Sequence, residues 1–215
     1  MNTLDARTLV LGTRNSGKLR ELAELLEPLG ISCRSLEGLA AAVEVDVTGT
    51  TFAENAALKA SSQALSLGRH VLGEDSGLVV DALGGQPGVY SARFSDPGAT
   101  DERNNDLLLA RLAAVRETTG GSNAVMCSRA ARYECHMALA DPSGRIIATA
   151  DGRCEGLIAE QRRGRGGFGY DPLFIVPEYH STFGELGPAV KSVISHRARA
   201  LRQLVRTCGW LMRRP

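Results

Sequence analysis

The sequence predicts an α/β protein, and two observations carry that expectation. A short apolar run, Leu9–Leu11, passes through the glycine-bearing loop Gly12-Thr13-Arg14-Asn15-Ser16-Gly17-Lys18 into a helical pattern starting at Leu19. Strand-like and helix-like patterns then alternate along a chain of 215 residues, long enough for one large α/β domain or two small lobes around a substantial core.

The first loop is nearly a Walker A sequence. It matches G-x-x-x-x-G-K, but Leu19 stands where a serine or threonine hydroxyl would hold Mg²⁺. Glycines let the backbone approach an anion, the helix N-terminus favours negative charge, and Lys18 adds a full positive charge. The loop is therefore expected to bind a triphosphate whose metal is held elsewhere; an ordinary strand-to-helix turn with a surface lysine is the alternative.

The elements follow in order. Leu19–Leu26 reads as an amphipathic helix stopped by Pro28 and Gly30, and Ile31–Ser35 as a short strand. Glu44, Asp46 and Thr48 alternate with Val43, Val45 and Val47, so an extended chain would put both carboxylates on one face. A second helix starts with Thr51 as N-cap and Glu54 closing a capping box, and ends before Gly68. Asn55 and Lys59 share one of its faces, and the capping role discounts Glu54 as catalytic.

His70–Gly73 and Leu78–Leu83 read as strands flanking a turn, Glu74-Asp75-Ser76-Gly77. Thr100–Arg116 is a helix with Leu107, Leu108 and Leu112 inward. Val125–Asp141 and Arg145–Leu157 read as long strands joined at Asp141-Pro142-Ser143-Gly144. Residues 161–172 form a Gly- and Arg-rich loop, and a last helix begins near Ser195, with Ala198, Leu201, Val205 and Met212 on its apolar side. No internal repeat or separating linker is visible.

Composition excludes several classes. A net charge of +1 gives no reason to expect a polyanion or an anionic membrane as the main partner. No apolar run approaches the roughly 18 residues of a membrane span, and Met1–Gly12 lacks the features of a secretory signal, so the cytoplasm is the default expectation. Cys33, Cys127, Cys135, Cys154 and Cys208 form no C-x-x-C pair, which argues against a disulfide framework or zinc site. Lys18, Lys59 and Lys191 are the only lysines among 25 basic residues, which points to positions that need a compact ammonium; chance survival at the surface is the alternative.

Three constellations carry chemistry. In Glu74-Asp75-Ser76-Gly77, Asp75 is the natural Mg²⁺ ligand or base, and Asp46 or Glu44 could complete the metal site; the alternative is a turn bonding its own backbone. In Arg165-Gly166-Gly167-Phe168-Gly169-Tyr170-Asp171-Pro172, an aromatic face can stack on a nucleobase while Asp171 accepts from ring N–H donors; a flexible hairpin end with Phe168 in the core is the alternative, and an RGG-like nucleic-acid segment is a third. In Ser195-His196-Arg197, beside Lys191, Arg197 could donate to a purine 6-oxo group and would meet a 6-amino group donor to donor; a serine-capped helix with two exposed polar residues is the plain alternative.

Together these segments resemble the inosine/xanthosine triphosphate pyrophosphatase family, which clears non-canonical purine nucleotides from the nucleotide pool. The matching blocks are Thr13–Lys18, Thr48–Ala56, Glu74–Leu78, Leu83–Arg93, Gly167–Pro172 and Ile194–Arg197, in family order and spread over nearly the whole chain. The resemblance implies a single domain over residues 1–215, with an elongated two-lobed α/β fold, a long curved mixed sheet flanked by helices and a nucleotide cleft between the lobes. It implies a homodimer that acts on a small-molecule nucleotide, not on nucleic acid or membrane. It implies Mg²⁺-dependent hydrolysis of ITP, dITP and XTP to the monophosphate and pyrophosphate.

Carried onto this chain, Thr13, Arg14, Asn15, Ser16, Gly17 and Lys18 would bind phosphate and Lys59 would face it. Asp75 would be the metal-linked proton acceptor and Ser76 would contact substrate. Phe168, Gly169, Tyr170, Asp171, Lys191, His196 and Arg197 would hold the base and sugar. Two departures stand out: the acidic pair that often precedes Thr-Gly is Asp46-Val47 here, so Asp46 is inferred as the second metal ligand, and Val190 replaces the acidic residue that often precedes the motif lysine. The competing expectations are a P-loop NTPase or kinase cutting at the γ-phosphate, and nucleic-acid binding through Arg162, Arg163 and Arg165.

Overall fold

The computed structural model describes residues 8–119 and 129–208. Seven strands form a mixed sheet flanked by helices: β1 (Leu9–Leu11), β2 (Cys33–Arg34), β3 (Val71–Val80), β4 (Ala130–Ala140), β5 (Ile146–Ile158), β6 (Phe174–Val176) and β7 (Ser181–Thr182). Their order is β2-β1-β3-β4-β5-β6-β7; β1 runs parallel to β2 and β3, whereas β6 is antiparallel to both β5 and β7. The helices are α1 (Ser16–Leu26), α2 (Phe52–Leu67), α3 (Asp101–Thr119), α4 (Pro188–Ile194) and α5 (His196–Thr207). Among the described residues no helix is long and apolar enough to cross a membrane.

The described residues fall into two compact units. The first is drawn from Met1–Asp75, Cys135–Gly152 and His196–Pro215, and the second from Ser76–Glu134 and Arg153–Ser195. In the first unit, strand alternation sorts side chains between two cores. Leu9, Leu11, Leu72, Met137 and Leu139 pack with Leu22 and Leu26 of α1 and Leu201 and Leu204 of α5. Val10, Val71, Ala138 and Ala140 face the other way, onto Ala56, Ala60 and Ala64 of α2. Small residues on that side bring α2 close to the sheet: a Cβ on Gly73 would lie 2.6 Å from the Ala60 backbone nitrogen. The second unit is centred on Leu108, Leu112, Tyr133, Tyr170, Phe174 and Phe183.

Local chemistry sets the element ends where the sequence predicts them. α2 carries the full capping box: Thr51 Oγ1 accepts from Glu54 N, Glu54 Oε2 accepts from Thr51 N, and Gly68 closes the helix with φ 61°. α1 starts earlier than its leucine pattern, because Asn15 Oδ1 accepts from Lys18 N and caps it from inside the loop. Asp141 accepts from the Ser143 hydroxyl and amide in the predicted β4–β5 turn.

Elsewhere the structure corrects the sequence reading. Glu74-Asp75-Ser76-Gly77 is not a turn but the middle of β3. The predicted last helix is α5, but a short helix that the sequence did not predict, α4, precedes it, and Ser195, with its extended backbone (ψ 156°), divides the two. Residues 42–49 form no strand, yet exposure alternates from Glu44 to Thr50 with the carboxylates outward, and Gln63 ties the stretch to α2 through two hydrogen bonds with the Val43 backbone. Met212, Cys127 and the start of the predicted Val125–Asp141 strand lie outside the described residues.

Candidate active site

In the first unit, β3 presents its two adjacent carboxylates to opposite faces, as period-two alternation requires. Glu74 shares its side with Leu72 and faces α1 and α5. It is completely buried, and burial of a carboxylate demands partners. Lys18 Nζ lies 3.0 Å from Oε2, while Arg197 Nη2 and Nε donate to Oε1 at 3.1 and 3.3 Å. The Cys135 thiol also approaches Oε1, at 3.4 Å. Arg197 continues the chain of charges to Glu21 through Nη1.

The glycine loop, the acidic segment and the start of the last helix thus meet at Glu74, with Arg197 reaching it from 123 residues away. Burial would lower the affinity of the Arg197 guanidinium for its proton, but the Glu74 and Glu21 carboxylates outweigh it and hold the group above its ordinary value. Burial, followed by the charge of Glu74, pushes the Cys135 thiol well up, so it stays protonated.

Asp75 leaves the other face, toward α2. Lys59 Nζ donates to its Oδ1 at 2.6 Å and Asn55 Nδ2 to its Oδ2 at 3.2 Å. Lys59 also donates to the Glu74 carbonyl at 3.3 Å. Asn55 and Lys59 are one helical turn apart, so a single face of α2 addresses the strand.

The rest of the predicted phosphate loop surrounds the start of α1. Thr13 is buried and its Oγ1 accepts from Asn15 N; Gly17 is buried; Arg14, Asn15 and Ser16 are exposed, with Arg14 Nη2 donating to the Val43 carbonyl. His196 is buried at the start of α5, and Ser76 is half-buried. Asp46 is exposed, and among the described residues no group of three or more His, Cys, Asp or Glu is arranged to hold a metal.

The second unit gathers the remaining predicted residues around Asp171, which is 2% exposed. Its carboxylate accepts from Lys191 Nζ, from Phe168 N at 2.9 Å and from the Tyr133 hydroxyl at 3.4 Å. The Lys191 ammonium lies 4.9 Å from the half-buried Phe168 ring and 5.4 Å from that of Phe183, within cation–π range. Gly167 has φ 75°, and a Cβ there would overlap the Asp171 carboxylate, so glycine is needed on both counts. Tyr170, not Phe168, is the aromatic consumed by the core: it is 3% exposed and its hydroxyl donates to the Ser91 carbonyl. Burial, then the Asp101 charge, raises the Tyr170 phenol and keeps it a donor.

Two residues of α3 hold the loop backbone. Asp101 Oδ2 accepts from Gly169 N at 2.6 Å, and Asn105 Nδ2 donates to the Gly169 carbonyl at 3.0 Å. Arg162 pairs with Asp106 and Arg163 with Glu185, so those two members of the arginine cluster are engaged by carboxylates. Asn55, Glu21, Asp101 and Asn105 are the site neighbours the sequence reading missed as such. For Asn55 the signal was present, an amide one turn before a rare lysine.

The chain is 49% identical over 197 residues to a dITP/XTP pyrophosphatase of Rhodopirellula baltica, covering 92% of this chain and 90% of that protein. It is 50% identical over 196 residues to the protein of the same name from an Exiguobacterium species, covering 91% and 94%. The structure of a HAM1 protein from Coxiella burnetii matches with TM-score 0.81 at 36% identity, over 94% of this chain and 98% of that one. The sequence profile of the Ham1 family matches residues 9–207, and the chain belongs to that family.

Proposed function

We propose that the protein is a nucleoside triphosphate pyrophosphatase that hydrolyses dITP, XTP and ITP to the monophosphate and pyrophosphate. The observation that carries this reading is the pair of carboxylates on β3, Asp75 held by Asn55 and Lys59 on one face and Glu74 held by Lys18 and Arg197 on the other. The named activity of the Rhodopirellula and Exiguobacterium relatives supports it.

The charges suggest how a triphosphate is accepted. Lys18, Lys59 and Arg197 are matched by Glu21, Glu74 and Asp75, so these six side chains sum to zero. A triphosphate therefore needs a cation that arrives with it. Mg²⁺ usually takes only one or two carboxylates, with phosphate oxygens and water completing its shell; Asp75 would supply one and Asp46 the second. When bound, Mg²⁺ supplies charge neutralisation and polarises the phosphoryl oxygen.

Asp75 then accepts the proton of the water that attacks the α-phosphorus, and pyrophosphate leaves. Lys59 keeps the carboxylate oriented, and Lys18, in the first turn of α1, turns from Glu74 toward the phosphates. On the base side, Phe168 offers a stacking face, while Lys191 and Asp171 offer a donor and an acceptor to the purine edge only by giving up part of their mutual ion pair. Arg197 reads the 6-oxo group only by giving up part of its contact with Glu74 or Glu21. The enzyme works as a cytoplasmic homodimer.

Incubation of the purified protein with dITP, XTP, ITP, ATP and GTP, with and without Mg²⁺, tests the whole reading. Expected are monophosphate and pyrophosphate, in excess for the first three substrates and only with the metal. Orthophosphate and a nucleoside diphosphate would instead identify a γ-phosphatase.

A further inference from the structure

We propose that Asn55 is a positioning residue for the Asp75 carboxylate, and that Gly49 is glycine because the Asn55 amide occupies the space a side chain would need. The proposal rests on the reading of Asp75 as the group that activates water. A carboxylate held at one oxygen still rotates about its Cβ–Cγ bond. Asp75 is held at both, by Lys59 on Oδ1 and Asn55 on Oδ2, and both donors stand on one rigid helix. Lys59 brings a charge that a phosphate can attract away. Asn55 brings a neutral donor, so its bond survives the arrival of an anion.

Nothing in α2 itself calls for asparagine at this place. The residue lies inside the helix, where its propensity is below that of alanine, and it is 2% exposed, where an amide is costly unless bonded. Its orientation follows from chemistry: turned over, the amide would set Oδ1 against the Asp75 carboxylate, acceptor to acceptor. The Oδ1 atom is buried and has no hydrogen-bond partner among the described residues, so the Nδ2 bond to Asp75 is what holds the amide.

Gly49 completes the arrangement. A Cβ at that position would overlap Asn55 Oδ1 and come within 2.8 Å of Glu54 Cβ, while the Gly49 backbone does not lie in the left-handed region. The glycine is therefore needed for space and not for conformation. Substitution at Gly49 should act on Asp75 through Asn55, without contact between the two.

The test uses the full chain with dITP and XTP. Asn55→Leu removes the donor at nearly constant volume, and Gly49→Ala displaces the amide. For both, kcat is expected to fall about 10- to 100-fold, the size of effect that small misplacement of a reacting group produces, while KM stays within about 3-fold. In an Asp75→Asn background, Asn55→Leu is expected to change the residual rate by less than about 2-fold, because the carboxylate that Asn55 positions is gone. Melting temperatures verify folding, and Asn55→Ala replaces Asn55→Leu should the latter not fold.

A folded Asn55 variant with unchanged kcat, or one that raises KM at constant kcat, overturns the positioning role and leaves the Asp75 reading intact. A second full loss in the Asp75→Asn background also overturns it, as the mark of a general packing defect. Near-normal turnover by Asp75→Asn alone overturns both readings.

Discussion

At Arg197, one side chain is asked to do two things. It is 1% exposed, and it joins Glu74 to Glu21, so its removal leaves the completely buried Glu74 with Lys18 as its remaining cationic partner at 3.0 Å and Oε1 without its guanidinium donors. Breaking a buried pair by deleting one partner typically costs about 3–5 kcal/mol. Arg197→Ala is expected to lose stability of that order in urea titration, and adding Glu74→Gln to recover part of it, since the buried charge is then gone. The same variant, where folded, is expected to blunt the preference for ITP over ATP more than it changes ATP turnover. Equal losses on both substrates would confine Arg197 to holding Glu74. The sequence could not show this tension, because Ser195-His196-Arg197 looks like an exposed helix start until Glu74, 123 residues away, is placed beside it.

At the scale of elements, what was legible depended on whether neighbours in sequence or in space decide the conformation. α2 was legible because its cap, its closing box and its terminal glycine are all local. β3 was not: two carboxylates, a serine and a glycine in a row are a turn by composition, and only Lys18, Arg197, Lys59 and Asn55 make them affordable inside a sheet. The loop after β5 shows the same dependence. Its glycines permit its path, but α3 fixes it, through the Asp101 and Asn105 bonds to both ends of the Gly169 residue. A hydrogen bond of this kind is worth a net ~0.5–1.5 kcal/mol, so Asn105→Ala is expected to raise KM for dITP and XTP by about 3- to 10-fold. The change in kcat should be smaller, because Asp75 and Lys59 are untouched. Unchanged KM in steady-state measurements would show that the loop holds its shape without α3.

For the whole molecule, acid is the perturbation that the distribution of charge makes most informative. Three carboxylates are held below their ordinary range by local donors. Asp141 is brought down to about 2, first by the Ser143 hydroxyl; Glu185 is lowered first by Arg163 and then by the Thr182 amide; Glu54 is lowered by the Thr50 backbone and hydroxyl and by the Thr51 amide. A carboxylate whose folded pKa is depressed contributes stability that is fully present above its unfolded pKa, about 3.9 for Asp and 4.3 for Glu, and that is lost as pH falls through the folded value. All three therefore act with the same sign. The melting temperature is expected to hold from pH 7 to about pH 5 and then fall steadily toward pH 2, in the window those pKa values define. Protonation also leaves 25 Lys and Arg without their 24 acidic counterparts, so general repulsion adds to the decline. The two causes separate by mutation. Glu54→Gln, Asp141→Asn and Glu185→Gln combined should lower the melting temperature at pH 7 and flatten its descent below pH 5, because the linked protons are no longer taken up. A combined variant that keeps the full slope would assign the acid sensitivity to general repulsion.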